Sequence, residues 1–254
     1  MLLAVDIGNS NIVLGLAQSQ TWEAVWRITT SVQRGASAYA REINMFFLES
    51  NQKAENIQKV VLSSVVPGLT DTMMQVLHEL FGLPVLRVGP DIYSRMPMAI
   101  ERPHEIGSDL VANAVAAYDK FKDYSIVVDF GTALTFTTVS DSGQILGVAI
   151  APGLKTAMYA LFKNTAQLPE VPLELPPSAI GKNTTQALQA GVLLGYVGLV
   201  ESLLARIQKE LAQPCKVVAT GGLSAILGPV AHLFDEIDPH LTLNGLRLIA
   251  EHYG

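Results

Sequence analysis

Cysteine is almost missing from this 254-residue chain: the single Cys215 allows no internal disulfide and no thiolate metal site, which fits a reducing compartment. Charge is scarce too. Asp, Glu, Lys and Arg make up 16% of the residues, the net charge is −6, and Lys and Arg form no run. Nucleic acid is therefore not expected as a partner, because neutralising phosphates needs a basic face. Hydrophobic residues reach 49%, so the chain is not disordered, yet Gly, Pro, Asn, Gln or a charge interrupts each apolar run. Those runs are expected to fall short of the ~20 residues of a spanning helix, and no membrane is expected as a partner. Residues 1–5 lack a basic n-region and meet Asp6 early, so nothing directs export and a cytoplasmic location is expected. His78, His104, His232, His240 and His252 show no His-x-x-x-His or His-x-His spacing, which excludes an ordinary zinc site. No Gly-Lys-Ser/Thr occurs, so there is no Walker A loop.

What the sequence does contain is a repeat. Residues 2–5 form an apolar run that ends in Asp6-Ile7-Gly8-Asn9 and resumes over 12–16; residues 125–128 form another, ending in Asp129-Phe130-Gly131-Thr132 and resuming over 135–139. Each predicts a β-hairpin with an acid at its bend. The acids lie 123 residues apart, from 6 to 129. A second pair of β-branched runs, 59–65 and 216–222, is offset by 157, so the second half carries an insertion, expected in the Pro-rich stretch 168–177. Helical periodicity marks 36–50, 69–81, 109–121, 185–211 and 241–253. The chain is thus expected to be α/β, with an N-terminal half over 1–120, a C-terminal half over 121–254, and a cleft between duplicated halves.

Acid-Gly-Asn/Thr bends suit phosphate chemistry. Glycine lets backbone approach phosphate oxygens, Asn or Thr adds donors, and the carboxylate can hold a bridging cation. A single such bend is ordinary hairpin punctuation, whereas two at repeat spacing are what a nucleoside triphosphate with a metal requires. Thr220-Gly221-Gly222 follows a predicted strand, and reads either as a plain strand-to-helix turn or as backbone against which a nucleoside lies. Gly107-Ser108-Asp109 sits where a loop enters a helix. There Asp109 is either an N-cap or, as a third acid, a general base. Cys215 has no neighbouring His and reads as a core-edge residue. Over 187–204 apolar residues cover more than one helical stripe, with Glu201 as the only charge. That helix is either buried inside one domain or leaves a face for a second copy.

Taken together, these residues resemble a type III pantothenate kinase, in the actin-like ATPase superfamily with its duplicated ribonuclease H-like halves. Asp6-Ile7-Gly8-Asn9-Ser10 resembles the first phosphate motif of that family, followed here by Asn11. Asp129-Phe130-Gly131-Thr132-Ala133 resembles its second phosphate motif, Gly107-Ser108-Asp109 its substrate motif, and Thr220-Gly221-Gly222 its adenosine motif. Ser64-Val65-Val66-Pro67 and Lys182-Asn183-Thr184 also match. The resemblance implies ATP-dependent phosphorylation of pantothenate by a homodimer that uses Mg²⁺ and a monovalent cation, K⁺ or NH₄⁺. In it Asp109 matches the general base, and Asp6 and Asp129 the acids at metal and phosphates. Gly8, Asn9, Gly131 and Thr132 match phosphate contacts, while Thr184 matches a pantothenate-side threonine reached from the second subunit. Two substrate positions depart from the family: Leu110 stands where an Arg meets the pantothenate carboxylate, and Ile100 where an aromatic residue is frequent. The motif after Gly131 also lacks an Asp near Thr137 that accompanies the monovalent cation. Arg95, Arg102 and His104 are the candidates to replace the missing cation. Two other functions stay open on this basis: a kinase of another small alcohol, and a non-catalytic nucleotide-binding accessory or regulatory protein.

Overall fold

Strand-forming β-branched runs and the helical stretches between them assemble into two units in the computed structural model, which describes residues 1–96, 98, 100–222 and 228–254. One unit comprises 1–119 together with 241–254, the other 120–240. The first contains β1 (Leu2–Ile7), β2 (Asn11–Gln18), β3 (Thr21–Thr29), α1 (Ala36–Glu49), β4 (Lys59–Ser64), α2 (Pro67–Phe81), β5 (Val85–Arg87), α3 (Pro90–Tyr93) and α4 (Ser108–Phe121), whose last residues cross the division. Its sheet runs β3-β2-β1-β4-β5. The second contains β6 (Ser125–Phe130), β7 (Ala133–Val139), β8 (Ile145–Pro152), α5 (Leu154–Asn164), α6 (Thr184–Gln189), α7 (Gly195–Leu211), β9 (Lys216–Thr220) and β10 (Glu236–Ile237), with a π-helical turn, Ala190–Leu194, joining α6 to α7. Its sheet runs β10-β9-β6-β7-β8.

The two sheets share one topology. In each, the first strand pairs antiparallel with the second and parallel with the fourth, and Leu2 faces Lys59 as Ser125 faces Lys216. The insertion is confined to one connection: 29 residues separate β3 from β4 and 63 separate β8 from β9, an excess of 34. The longer connection holds the irregular Pro-rich stretch and the long helical run. Both hairpins gain a third strand, β3 and β8, and both are edge strands. In β8 the outward Leu146, Val148 and Ile150 are themselves apolar, so no polar alternation marks it, whereas in β3 the exposed Thr21, Glu23, Arg27 and Thr29 alternate with Trp22, Ala24, Trp26 and Ile28.

Leu3, Val5, Ile7, Ile12, Leu14 and Leu16 point to one face of the first sheet and pack with α1 and α2 side chains such as Ile43, Phe47, Met73 and Leu77. The matching face of the second sheet, Ile126, Val128, Phe130, Leu134 and Phe136, packs with Leu193, Tyr196, Val200 and Leu204 of the long helix. That run, Thr184–Leu211, corrects the expectation that every apolar stretch falls short: by length and composition it is able to cross a membrane. Its inner residues are core residues of its own unit, as in the central helix of a soluble domain.

The last helix, α8 (Leu241–Tyr253), departs from a division at 120/121 into two continuous halves, because it packs on β1 and β4 of the first unit. Trp22 Nε1 donates to Asn244 Oδ1 at 2.8 Å, Thr242 Oγ1 donates to Asn113 Oδ1 at 2.8 Å, and Lys59 Nζ donates to the Ala250 carbonyl at 2.7 Å near the helix C-terminus. Gly245 permits the contact. A Cβ there would overlap the Ala112 carbonyl of α4, which is backbone and unable to rotate away. Gly245→Ala is therefore expected to destabilise the first unit by about 3 kcal/mol, the upper part of the overpacking range, seen as a lower urea midpoint at unchanged m-value.

Candidate active site

Asp6 is the penultimate residue of β1, paired in register with Val13 across the hairpin and with Ser63 of the parallel β4. Ile7 and Ile12 close a four-residue bend, residues 8–11. The bend is pinned from within: the Gly8 N–H donates to the Asn11 carbonyl at 2.9 Å, Thr30 Oγ1 donates to the Gly8 carbonyl at 2.7 Å, and the Thr30 N–H donates to the Ser10 carbonyl at 3.1 Å. Asn9, Ser10 and Asn11 remain exposed beside a fixed turn.

Asp109 lies one residue inside α4, not at its cap. Gly107 is outside the helix, its carbonyl accepting from the Val111 N–H at 3.2 Å, and Ser108 begins it. The carboxylate turns back over Gly107, where a Cβ would overlap Oδ1, and Oδ1 accepts from the Leu110 N–H at 2.8 Å. Burial raises the Asp109 carboxyl above the ordinary Asp range, and the backbone N–H groups only partly oppose it. Tyr93, at the end of α3, is buried; burial first, and the Asp109 charge second, push its phenol up to about 12. It stays neutral at any working pH.

In the second unit Asp129 takes the place of Asp6, paired with Thr135 across the hairpin and with Thr220 of the parallel β9. The bend is one residue shorter, 131–133, with the Gly131 N–H donating to the Ala133 carbonyl at 3.1 Å. Thr132 is held from the β8 side, its carbonyl accepting from the Gly153 N–H at 3.0 Å and from Thr156 Oγ1 at 2.7 Å. Gly221 adopts a φ of +92°, and a Cβ there would stand 2.6 Å from Asp129 Oδ1 and 2.7 Å from the Phe130 carbonyl carbon. Only glycine lets the β9 end lie against this acid. Thr220 is buried and Gly222 exposed; the expected helix from Leu223 onward falls outside the described residues.

Elsewhere, Thr184 is the exposed first residue of α6, after Asn183 Oδ1, which accepts from the Gln186 N–H at 2.9 Å and caps the helix. Leu110 and Ile100 are half-buried. Arg95, Arg102 and His104 are exposed, and Arg102 pairs with Glu105 at 3.2 Å. Ser63 and Tyr93 join this neighbourhood without a motif of their own, although the offset of 157 that relates the two strand pairs maps Ser63 onto Thr220.

In each unit a single acid beside a bend could take part in holding a cation whose other ligands are not side-chain carboxylates. Among the described residues no three of His, Cys, Asp and Glu gather as a resident site would need. Asp6 and Asp129 instead offer one carboxylate each beside a pinned Gly bend, and Mg²⁺ is commonly held by one or two carboxylates with phosphate oxygens and water filling its shell. Across the hairpin from Asp129, the buried Thr135 hydroxyl has no hydrogen-bond partner among the described residues.

Similarity to known proteins agrees with this arrangement. The type III pantothenate kinase family profile matches residues 2–206. A type III pantothenate kinase of Moorella thermoacetica is 43% identical over 251 residues, 99% of either chain. Two solved structures share the fold. The activator of 2-hydroxyisocaproyl-CoA dehydratase from Clostridium difficile, with bound ADPNP, superimposes with a TM-score of 0.54 at 12% identity, covering 99% of this chain and 93% of that one. The polyphosphate/ATP-glucomannokinase of Arthrobacter sp. strain KM gives 0.51 at 14% identity, covering 98% of each. With duplicated α/β sheets of actin-like topology and full-length similarity at this level, the chain belongs to the type III pantothenate kinase family.

Proposed function

We propose that this protein phosphorylates pantothenate with ATP, the first step of coenzyme A synthesis, in the cytoplasm. The observation that carries the reading is Asp109: a carboxylate at the start of α4, raised by burial, within Gly107-Ser108-Asp109. In this reading Asp109 accepts the proton of the pantothenate primary hydroxyl as that oxygen bonds the γ-phosphorus and the bond from the γ-phosphorus to the β–γ bridging oxygen breaks. A base whose pKa is raised from the ordinary carboxylate range is better matched to neutral pH. The bends at Gly8-Asn9-Ser10-Asn11 and Gly131-Thr132 donate to phosphate oxygens, and Thr220-Gly221-Gly222 presents backbone to the adenosine. Asp6 and Asp129 would hold Mg²⁺, with Asp129 and Thr135 offering oxygens to K⁺ or NH₄⁺. Bound magnesium supplies charge neutralisation on the triphosphate. Because the chemistry of phosphoryl transfer is mostly positioning and electrostatics, the pinned bends are the protein's main contribution. Formation of phosphopantothenate from ATP and pantothenate, dependent on Mg²⁺, tests the reading. ATP binding without acceptor-dependent turnover would overturn it.

Gly107, Ser108, Leu110, Ile100 and Thr184 form the acceptor side of this reading, Thr184 being supplied by a second copy in a homodimer. Its support is the apolar excess of the 187–204 helix and the exposed Leu146, Val148, Ile150, Tyr159 and Phe162 of the same unit. A monomeric mass by light scattering would sink the dimer. Leu110 leaves the pantothenate carboxylate without a guanidinium, and exposed Arg95, Arg102 and His104 are poorly placed to desolvate a replacement pair. Leu110→Arg is accordingly expected to lower the KM for pantothenate about tenfold, the worth of one charge-assisted hydrogen bond. An unchanged KM would show that another group already holds the carboxylate.

A further inference from the structure

We infer that Ser63 is a positioning residue for Asp109, locking the start of α4 to the end of β4 through a buried hydroxyl pair. This rests on the kinase reading above for its consequence in turnover. The geometry is independent of it.

Ser63 Oγ stands 2.9 Å from Ser108 Oγ, with Ser63 0% and Ser108 6% exposed. Ser108 Oγ also accepts from the Ser64 N–H at 3.1 Å and lies 3.4 Å from the Ser64 carbonyl, and either hydroxyl of the Ser63–Ser108 pair is able to donate to the other. Ser64 continues the chain of contacts: its hydroxyl is 2.8 Å from Thr70 Oγ1, and Thr70 Oγ1 donates to the Val66 carbonyl at 3.1 Å at the start of α2. Three elements are thereby tied at one point, β4, α2 and α4. Ser108 is the residue immediately before Asp109, and Ser63 is the register partner of Asp6, so the link sets the base in a fixed relation to the Asp6 bend.

The duplication shows that this arrangement is not a general property of such strand ends. Position 63 corresponds to Thr220 in the second unit, since Asp6 faces Ser63 as Asp129 faces Thr220. There the following residue is Gly221, folded against Asp129 and Phe130. The same strand end thus serves as a close backbone approach in one unit and as a hydroxyl anchor in the other. A buried hydroxyl pair at a packed strand end is costly to leave half-made, so both partners hold each other in place.

The test compares Ser63→Ala, which keeps the volume within one oxygen, with Ser63→Thr, which keeps the hydroxyl and copies the residue present at 220. Steady-state kinetics with ATP and pantothenate are combined with hydrogen exchange of the peptide covering the first turns of α4. Ser63→Ala is expected to lower kcat about tenfold with the KM for ATP unchanged, because a base displaced by a fraction of an ångström loses its alignment while nucleotide contacts persist. Exchange at the start of α4 should quicken several-fold while the rest of the chain keeps wild-type rates, and Ser63→Thr should restore both readouts. Unchanged exchange in α4, or a loss of kcat that Ser63→Thr does not restore, would overturn the positioning role. Should the wild-type protein not phosphorylate pantothenate, the kinase reading falls, and exchange in α4 alone decides whether Ser63 anchors the helix.

Discussion

Asp109→Asn is expected to reduce kcat/KM for pantothenate by about 10²–10⁴ while ATP binding stays close to wild type, because an amide does not accept the hydroxyl proton. The same substitution should raise the melting temperature at neutral pH. Burial raises the Asp109 carboxyl in the folded chain, so its ionised form opposes folding. The sign follows from linkage: for a raised acid, stability is complete below the unfolded pKa of about 3.9 and declines as pH rises through the folded value. Asn escapes that loss, so the variant should gain stability at pH 7 and match wild type near pH 3.5. The acid limb of the wild-type kcat/KM profile should correspondingly lie above the ordinary Asp range, since the base must be ionised to act. Loss of turnover with the opposite temperature shift would mean that Asp109 is an ordinary helix-terminal carboxylate.

Asp6→Asn and Asp129→Asn should each lower kcat by about 10²–10³ with little change in urea stability, the scale seen when one preorganised electrostatic group is removed from a charge-bearing transition state. A magnesium titration distinguishes the cause: raised Mg²⁺ should recover part of the loss if the acids help hold the ion. Gly221→Ala should follow Asp129→Asn in direction. Its Cβ would press on Asp129 Oδ1 and the Phe130 carbonyl carbon, and its φ of +92° is strained for alanine, so both acid placement and local backbone suffer. Full activity of either Asn variant across the titration would show that only one of the two bends acts on phosphate.

Local pattern and repetition in the sequence determined a great deal here. The apolar runs ending in Asp6 and Asp129, and the β-branched runs from Lys59 and Lys216, specify β1, β6, β4 and β9, four of the six inner strands of the two sheets, because buried strands announce themselves by composition. Helical periodicity likewise placed α1, α2, α4, the long run through α7, and α8. The edge strand β8 was decided by pairing, since its outward face lacks a polar alternation, whereas β3 carries one in Thr21, Glu23, Arg27 and Thr29. Tertiary structure alone also decided where α8 belongs, how Asp109 is tuned and what holds it. The contacts responsible join residues 191, 129 and 45 positions apart: Lys59 with Ala250, Asn113 with Thr242, and Ser63 with Ser108. A periodicity of 2 or 3.6 residues encodes which face of an element is apolar, but not which distant element will cover it or how dry a carboxylate becomes beneath it.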